Sequence, residues 1–168
     1  MTTPPLQSQP CADANCSGQH EPRERVALAS VLCSSRGAQL TKLRRQILEL
    51  VWESGRPTRA YELIEALKQR DSRRVGPPTV YRALDFLMSQ GLVTRIESLN
   101  AYVPCAHPER SHDCLFFVCN QCGSSIEVED AKVAKLLSKD AAALGFRAEH
   151  NIIEIKGTCA ICVAADPT

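Results

Sequence analysis

The chain has 168 residues and a formal net charge of +1, and aromatic residues make up 5% of it. This length is enough for one ordinary domain or two small ones, and so few aromatic residues argue against a single large core. The N-terminus lacks a basic segment followed by an apolar run, and no stretch is long and apolar enough to span a membrane. We therefore expect a cytoplasmic protein without a signal peptide.

The charged residues are unevenly distributed along the chain. Residues 23–103 contain fourteen Lys or Arg and eight Asp or Glu, whereas residues 104–168 contain six and nine. A basic N-terminal half predicts that this half alone binds a polyanion. A solvated surface without a partner would give the same count, so the charge by itself leaves both interpretations open.

Residues 1–22 are predicted to form a disordered tail. They are rich in Pro, Ser, Gln and Thr and have almost no large apolar residues. Cys11, Cys16 and His20 are potential metal ligands in this tail. Binding one ion together would cost the tail much conformational entropy, so this remains a secondary hypothesis.

Apolar spacing after the tail predicts four helices followed by a β-hairpin. Pro77 and Pro78 mark the start of the last helix, because proline loses no hydrogen bond in a first helical turn. The predicted helices cover 23–36, 41–54, about 58–70 and 79–90, and the strands cover 92–97 and 101–103. This order is typical of a winged-helix domain, in which the last helix enters the DNA major groove. We predict such a DNA-binding domain over 23–103.

The rest of the chain predicts a linker and a second small domain. Residues 104–113 contain proline, histidine and charged residues without periodicity, which is typical of a linker. Residues 114–168 predict the order β-β-α-β, with strands at 115–118, 124–128 and 148–155. Asp130 is the predicted N-cap of a helix whose apolar residues are Val133, Leu136, Leu137 and Ala141. So small a unit would expose apolar surface, so we expect it to pair with a second copy in a homodimer. The predicted fold class is α+β: an N-terminal winged helix and a small C-terminal α/β dimerisation domain.

Two C-x-x-C pairs in the second domain are the strongest chemical signal. Two residues between thiolates let both sulfurs face one point, and two such pairs complete the tetrahedral four-cysteine shell of a structural zinc ion (Zn²⁺). Disulfides or a redox pair are the alternatives. A redox motif needs only one pair, and no thioredoxin-like βαβ pattern surrounds either. The predicted structural zinc ligands are Cys119, Cys122, Cys159 and Cys162.

Four segments, 77–87, 97–103, 150–154 and 157–162, carry a more specific pattern. Together with the cysteine pairs they resemble the ferric uptake regulator family and, within it, the zinc uptake regulators. The resemblance implies a zinc-responsive transcription factor that binds AT-rich palindromic operators as a zinc-loaded dimer, as a repressor or also as an activator. An iron, manganese or peroxide sensor of the same family is the nearest alternative. A thiol enzyme or zinc chaperone is a more distant one, since no catalytic constellation is spaced convincingly.

The resemblance gives the fourth predicted helix its roles in DNA binding. Arg82 is the candidate base-reading residue, because its planar fork can bond both acceptors of a guanine edge. Tyr81 would contact a thymine methyl or a phosphate, and Thr79 near the helix N-terminus would bind a phosphate. Further candidate phosphate contacts are Lys42, Arg44, Arg45, Arg59, Arg73 and Arg74.

The resemblance also implies a second, weaker zinc site beside the linker, which senses zinc. Cys105, His112 and Glu127 occupy the matching positions. Relatives often have a histidine where this chain has Thr94, and threonine is a poor zinc ligand. His107 is the first substitute for that ligand and Cys114 the second, and His150 is a candidate for a further site with His112 or Glu129. A thiolate in the sensing set favours zinc over iron(II) or manganese(II).

Overall fold

The computed structural model describes residues 22–70, 75–109, 113–148 and 151–165. These residues form two compact units, one of residues up to Glu109 and one of residues from 113 onward. The division lies within the predicted linker of 104–113. Within these ranges, the first unit has four α-helices, a two-stranded sheet and a short 3₁₀ helix (Glu97–Leu99), and the second has a three-stranded sheet and two α-helices. The predicted α+β class is confirmed.

The helices of the first unit lie close to their predicted positions. Their apolar residues recur at helical spacing, and glycines with positive φ follow the ends of three of them: Gly37, for example, has φ 67° two residues after the last residue of the first helix. Pro77 and Pro78 occupy the first turn of the fourth helix, as predicted. The elements are α1 (Pro22–Ser35), α2 (Lys42–Glu53), α3 (Ala60–Arg70), α4 (Pro77–Ser89), β1 (Val93–Ile96) and β2 (Ala101–Pro104).

One apolar core holds this unit together. Each helix contributes one face to it, and Leu92 and Tyr102 close it from the hairpin. Burying such side chains is the main stabilising contribution, at roughly 1.5–3 kcal/mol for each large one. The best-buried members are Cys33 of α1, Ile47, Leu48 and Val51 of α2, Leu63 and Leu67 of α3, and Val80, Leu84 and Leu87 of α4.

The hairpin is fastened to the helices by a further pair of backbone hydrogen bonds. β1 and β2 are antiparallel, and Asn100 takes the left-handed conformation, with φ 48°, in the turn between them. Thr58, just before α3, pairs with Tyr102 of β2: each N–H donates to the other's carbonyl, at 2.9 and 2.8 Å. The hairpin therefore keeps a fixed position against α2 and α4, beside the start of α3.

The second unit is built on a sheet of order β4-β3-β5. β3 is antiparallel to β4 and parallel to β5. Asp130 caps α5 as predicted, its carboxylate accepting the N–H groups of Lys132 and Val133 at 2.7 and 3.3 Å. The elements are β3 (Cys114–Cys119), β4 (Ser125–Val128), α5 (Ala131–Ala143), β5 (Ile152–Gly157) and α6 (Ala160–Ala165).

Three details of the second unit differ from the sequence-based expectation. The last strand begins at Ile152 rather than near 148, and α6 was not predicted. Leu136 was expected to face the core, but it is 58% exposed, and no residue of α5 is buried. Six residues are too few for helical periodicity to become visible, which is why α6 escaped detection. Across the described ranges, no helix has the length and apolar character that crossing a bilayer requires.

Candidate metal centre and nucleic-acid interface

The topology of the second sheet brings the two cysteine pairs together. Parallel neighbouring strands end at the same edge of a sheet, and Cys119, the last residue of β3, lies opposite Gly157, the last residue of β5. The N–H of Asn120 donates to the carbonyl of Gly157 at 2.8 Å and ties the two ends together. Both C-x-x-C turns therefore start from adjacent strand ends, although about forty residues of chain separate them.

The four sulfurs converge on one point. The Sγ atoms of Cys119, Cys122, Cys159 and Cys162 all lie within 4.8 Å of one another, and those of Cys122 and Cys159 are 3.8 Å apart. Gly123 permits the first turn, because its φ of 70° is strained for other residues. In the second turn, the N–H of Cys159 donates to Sγ of Cys119 at 3.3 Å.

The local hydrogen bonds favour thiolates at some of these positions and oppose them at others. Donation by the backbone N–H groups of Cys122 and Cys159 lowers the pKa of Cys119 to about 6. The backbone N–H of Cys162 likewise lowers the pKa of Cys159. A hydrogen bond between the Cys162 thiol and Cys159, together with burial, raises the pKa of Cys162 to about 12. A cation at the centre of the cluster would favour the thiolate of Cys162, which these contacts oppose.

This donor set fits zinc. Four thiolates in a tight cluster are the ligands of closed structural zinc sites, and a bound ion removes the thiol protons. The described cysteines are free thiols, so no disulfide competes for these sulfurs. When bound, zinc would hold the ends of β3 and β5 together through Cys119 and Cys122 on one side and Cys159 and Cys162 on the other.

The exposed face of α4 is the candidate nucleic-acid interface. Val80, Ala83, Leu84 and Leu87 fix one face of the helix in the core, which leaves Thr79, Tyr81 and Arg82 on its outer side. Thr79 and Arg82 are exposed, and Tyr81 is 47% exposed. The fourth helix thus presents a hydroxyl, a phenol and a guanidinium along its first turns, where a groove-reading helix has its contacts.

The other candidate phosphate contacts have differing surroundings. Lys42 and Arg45 are exposed on α2, and Arg59 is exposed before α3, with Nε donating to the carbonyl of Leu99 in the hairpin at 3.4 Å. The guanidinium of Arg44 instead stacks 3.4 Å above the ring of Phe86 and donates to the carbonyl of Gln39 at 2.6 Å. A phosphate would have to share Arg44 with these contacts. Arg73 and Arg74 lie outside the described residues.

The predicted regulatory ligands are distributed over both units. Cys105 and His107 belong to the first unit, just after β2, and Glu127 lies half-buried on β4 of the second. His112 and His150 lie outside the described residues, as do Cys11, Cys16 and His20. Thr94, where the resemblance implies a histidine, is 8% exposed in β1, and Cys114, the second substitute ligand, is buried in β3.

The environment of His107 is well defined. Its side chain is only 15% exposed, and its Nδ1 lies 3.1 Å from Oε1 of Glu109. A carboxylate at this position fixes the orientation of an imidazole, which is how metal-binding histidines are usually held. The histidine–carboxylate spacing of two residues was visible in the sequence, but the role of Glu109 was not predicted.

Together, a winged-helix unit with an exposed fourth helix and a sheet unit with a four-thiolate cluster define a nucleic-acid-binding class of protein with a built-in metal centre. The chain belongs to the ferric uptake regulator family, whose sequence model matches residues 35–156.

Its similar relatives include zinc uptake regulation proteins. The one from Escherichia coli (strain K12) is 37% identical over 145 residues, which are 86% of this chain and 84% of the relative. The one from Mycobacterium tuberculosis (strain ATCC 25618 / H37Rv) is 33% identical over 132 residues, 77% and 98% of the two chains.

Two solved structures are similar over most of the chain. A zinc uptake regulator complexed with zinc and DNA has a TM-score of 0.81 and 36% identity, covering 88% of this chain and 98% of that one. The holo form of XcZur has a TM-score of 0.75 and 42% identity, covering 84% and 98%.

Proposed function

We propose that this protein is a zinc-responsive transcriptional regulator that binds palindromic operator DNA as a zinc-loaded homodimer. The observation that carries the proposal is α4, whose buried residues hold Thr79, Tyr81 and Arg82 outward in a basic domain. Zinc uptake regulators with this fold include one solved with zinc and DNA, which supports both ligands. The proposed reading residue is Arg82, with Thr79, Lys42, Arg45 and Arg59 as phosphate contacts and Arg44 as a phosphate contact that also supports Phe86.

The proposed zinc sites have different roles. Zinc at the four-cysteine cluster is structural, because both strand ends depend on it. Zinc at Cys105, His107, His112 and Glu127 is regulatory, and the thiolate of Cys105 selects zinc over iron(II) and manganese(II). The thiolate ligands require a reducing compartment, which is the basis for proposing a cytoplasmic location. Membership of a family of regulators is the basis for proposing a non-enzymatic role.

We further propose that regulation is a population shift. Two reading helices in a dimer bind an operator together only when their spacing matches half-sites about one helical turn apart. Regulatory zinc would stabilise that spacing because it has its full set of bonds only there. The apolar surface of the second unit, which includes Leu136 and Phe146, supports the dimer.

The test is binding of an AT-rich palindromic duplex, titrated separately with zinc, iron(II) and manganese(II). Zinc should raise the affinity, and the affinity should fall steeply with salt because phosphate contacts release counterions. Stronger activation by iron(II) or manganese(II) would indicate a different sensor of the same family. An affinity that is unchanged after removal of exchangeable metal would contradict the proposal.

A further inference from the structure

Three parts of the first unit meet at the side chain of Arg36. This residue directly follows α1, and its backbone N–H donates to the carbonyls of Leu32 and Cys33, each at 3.2 Å. Its Nη1 donates to the carbonyl of Gln90, the C-terminal cap of α4, and its Nη2 donates to the carbonyl of Pro108 at 2.7 Å. One guanidinium therefore joins the end of α1, the end of α4 and the segment after the hairpin.

A second contact attaches the same segment to α4. The N–H of Cys105 donates to the carbonyl of Leu92 at 3.1 Å, and the N–H of Leu92 donates to the carbonyl of Leu87 in α4 at 2.9 Å. Hydrogen bonds to Leu92 and Arg36 thus restrain Cys105 and Pro108, respectively, and His107 lies between these two residues. Two of the proposed regulatory ligands consequently occupy a segment that is fixed to the reading helix at both ends.

We propose that Arg36 is a positioning residue that couples the regulatory zinc site to the reading helix α4. The inference rests on the proposed function, since it takes Cys105 and His107 as zinc ligands. A planar guanidinium can bond two carbonyls at once, whereas a lysine ammonium cannot reproduce this fork. Its positive charge also suits the C-terminal end of α4, where unpaired carbonyls carry partial negative charge.

The consequence of the two Arg36 hydrogen bonds is that the segment of residues 105–108 is preorganised for zinc. With Arg36 in place, Cys105 and His107 stay near their binding positions, and zinc does not have to order them. Without it, the Pro108 carbonyl loses its anchor, and the segment gains freedom that zinc must remove on binding. Bound zinc would also restrain α4 less well, so the link between metal and DNA would weaken.

The experiment compares R36A and R36K with the wild-type dimer, with C105S as the reference for the regulatory site. R70A is the matched control: it removes an equal charge, but in the described part of the chain Arg70 pairs with Glu53 of α2 rather than with α4 or residues 105–109. Exchangeable zinc affinity is measured by competition with a chelator, operator affinity at saturating zinc by anisotropy, and stability by thermal unfolding. Orienting contacts around a metal typically change affinity about 10- to 100-fold.

We expect R36A and R36K to bind exchangeable zinc about tenfold more weakly than wild type, while R70A matches wild type. Weaker zinc binding by R36K as well as by R36A would show that the two hydrogen bonds of Arg36, rather than its charge, cause the effect. If R36A does not fold, the zinc affinity of R36K alone tests the proposal. Wild-type zinc affinity in both variants, or a lower melting temperature with unchanged zinc affinity, would overturn the inference while C105S still binds zinc weakly. Unchanged zinc affinity in C105S would instead show that the proposed regulatory site is wrong.

Discussion

At the scale of single residues, the four sulfurs of the candidate zinc site differ although they share one cluster. Backbone N–H groups lower the pKa of Cys119 to about 6, whereas a shared proton raises that of Cys162 to about 12. The sequence shows four equivalent cysteines, and only their hydrogen bonds separate them. The thiol of Cys162 therefore gains more from a nearby cation than the thiol of Cys119 does.

Zinc retention should depend on pH in one direction. Each thiolate must lose its proton to bind the ion, so protons compete increasingly as the pH falls, and tightly bound zinc should be released in acid. Zinc released to a chromophoric chelator at a series of pH values measures this. C162S should release zinc at a higher pH than wild type, and Cys33→Ser, which alters a buried thiol outside the cluster, should not.

Arg82 should contribute both affinity and sequence preference. R82A is expected to cost about 1–3 kcal/mol of operator binding and to relax the preference at one base pair, because a bidentate contact to guanine is lost. Anisotropy with a set of single-base operator variants measures both effects. R70A, with the same loss of charge, should keep the wild-type preference; a uniform loss over all R82A operators would assign Arg82 to phosphate instead.

His107 and Cys114 are alternative substitutes for the ligand missing at Thr94. His107 lies beside the carboxylate of Glu109, and Cys114 is buried in β3. H107Q is therefore expected to weaken exchangeable zinc binding by about tenfold or more, and C114A to leave it unchanged. Chelator competition measures both variants. The reverse result would make Cys114 the ligand.

At the scale of secondary-structure elements, helix ends and strand ends determine where the functional groups lie. Left-handed residues and prolines stop and start the helices of the first unit, and these signals are local, so the sequence located α1 to α4 well. The start of α3 is also capped by a nearby side chain, that of Glu62. The carboxylate of Glu62 accepts the N–H of Arg59 at 2.8 Å and pairs with Arg56 at 2.8 Å.

Glu62 should stabilise the protein in a pH-dependent way. Burial opposes its ionisation, but the bonds and charges of Arg56 and Arg59 outweigh burial and lower its pKa from the ordinary value of 4.5. Its contribution is therefore complete above that ordinary value and is lost as the pH falls through the lower folded-state pKa.

E62Q should lower the free energy of unfolding by about 1 kcal/mol at neutral pH, and by less in acid. Urea unfolding at both pH values measures this. Glu65 is the control on the same helix, because its pair with Lys68 is exposed and E65Q should change stability by about 0.5 kcal/mol or less. Equal effects of the two variants would contradict the capping role of Glu62.

At the scale of the whole molecule, the second unit exposes large apolar side chains, among them Leu136 and Phe146. No residue of α5 is buried, and Leu136 on this helix is 58% exposed. The helical spacing that predicted Leu136 to face inward describes a face that the single chain does not cover. This is expected if a second copy completes the core.

Leu136 should therefore report on dimerisation. L136E is expected to weaken the dimer by about tenfold or more, because burying an unpaired carboxylate costs several kcal/mol. Light scattering over a concentration series measures the dissociation constant. S138E places the same charge on another face of α5 and should remain dimeric, and a dimeric L136E would contradict the proposed interface.

The sequence by itself determined the α+β class, the positions of most helices and strands, and which four cysteines form the candidate zinc site, because periodicity, capping residues and ligand spacing are local properties. Only the tertiary structure brought Cys119 and Cys159 to neighbouring strand ends, since parallel pairing of β3 with β5 is a contact between distant parts of the chain. Only the tertiary structure also shows that Arg44 stacks on Phe86 and that Arg36 donates hydrogen bonds to the carbonyls of Gln90 and Pro108. A long, flexible side chain can reach many partners, and which one it reaches depends on the packing of elements that the local sequence does not encode.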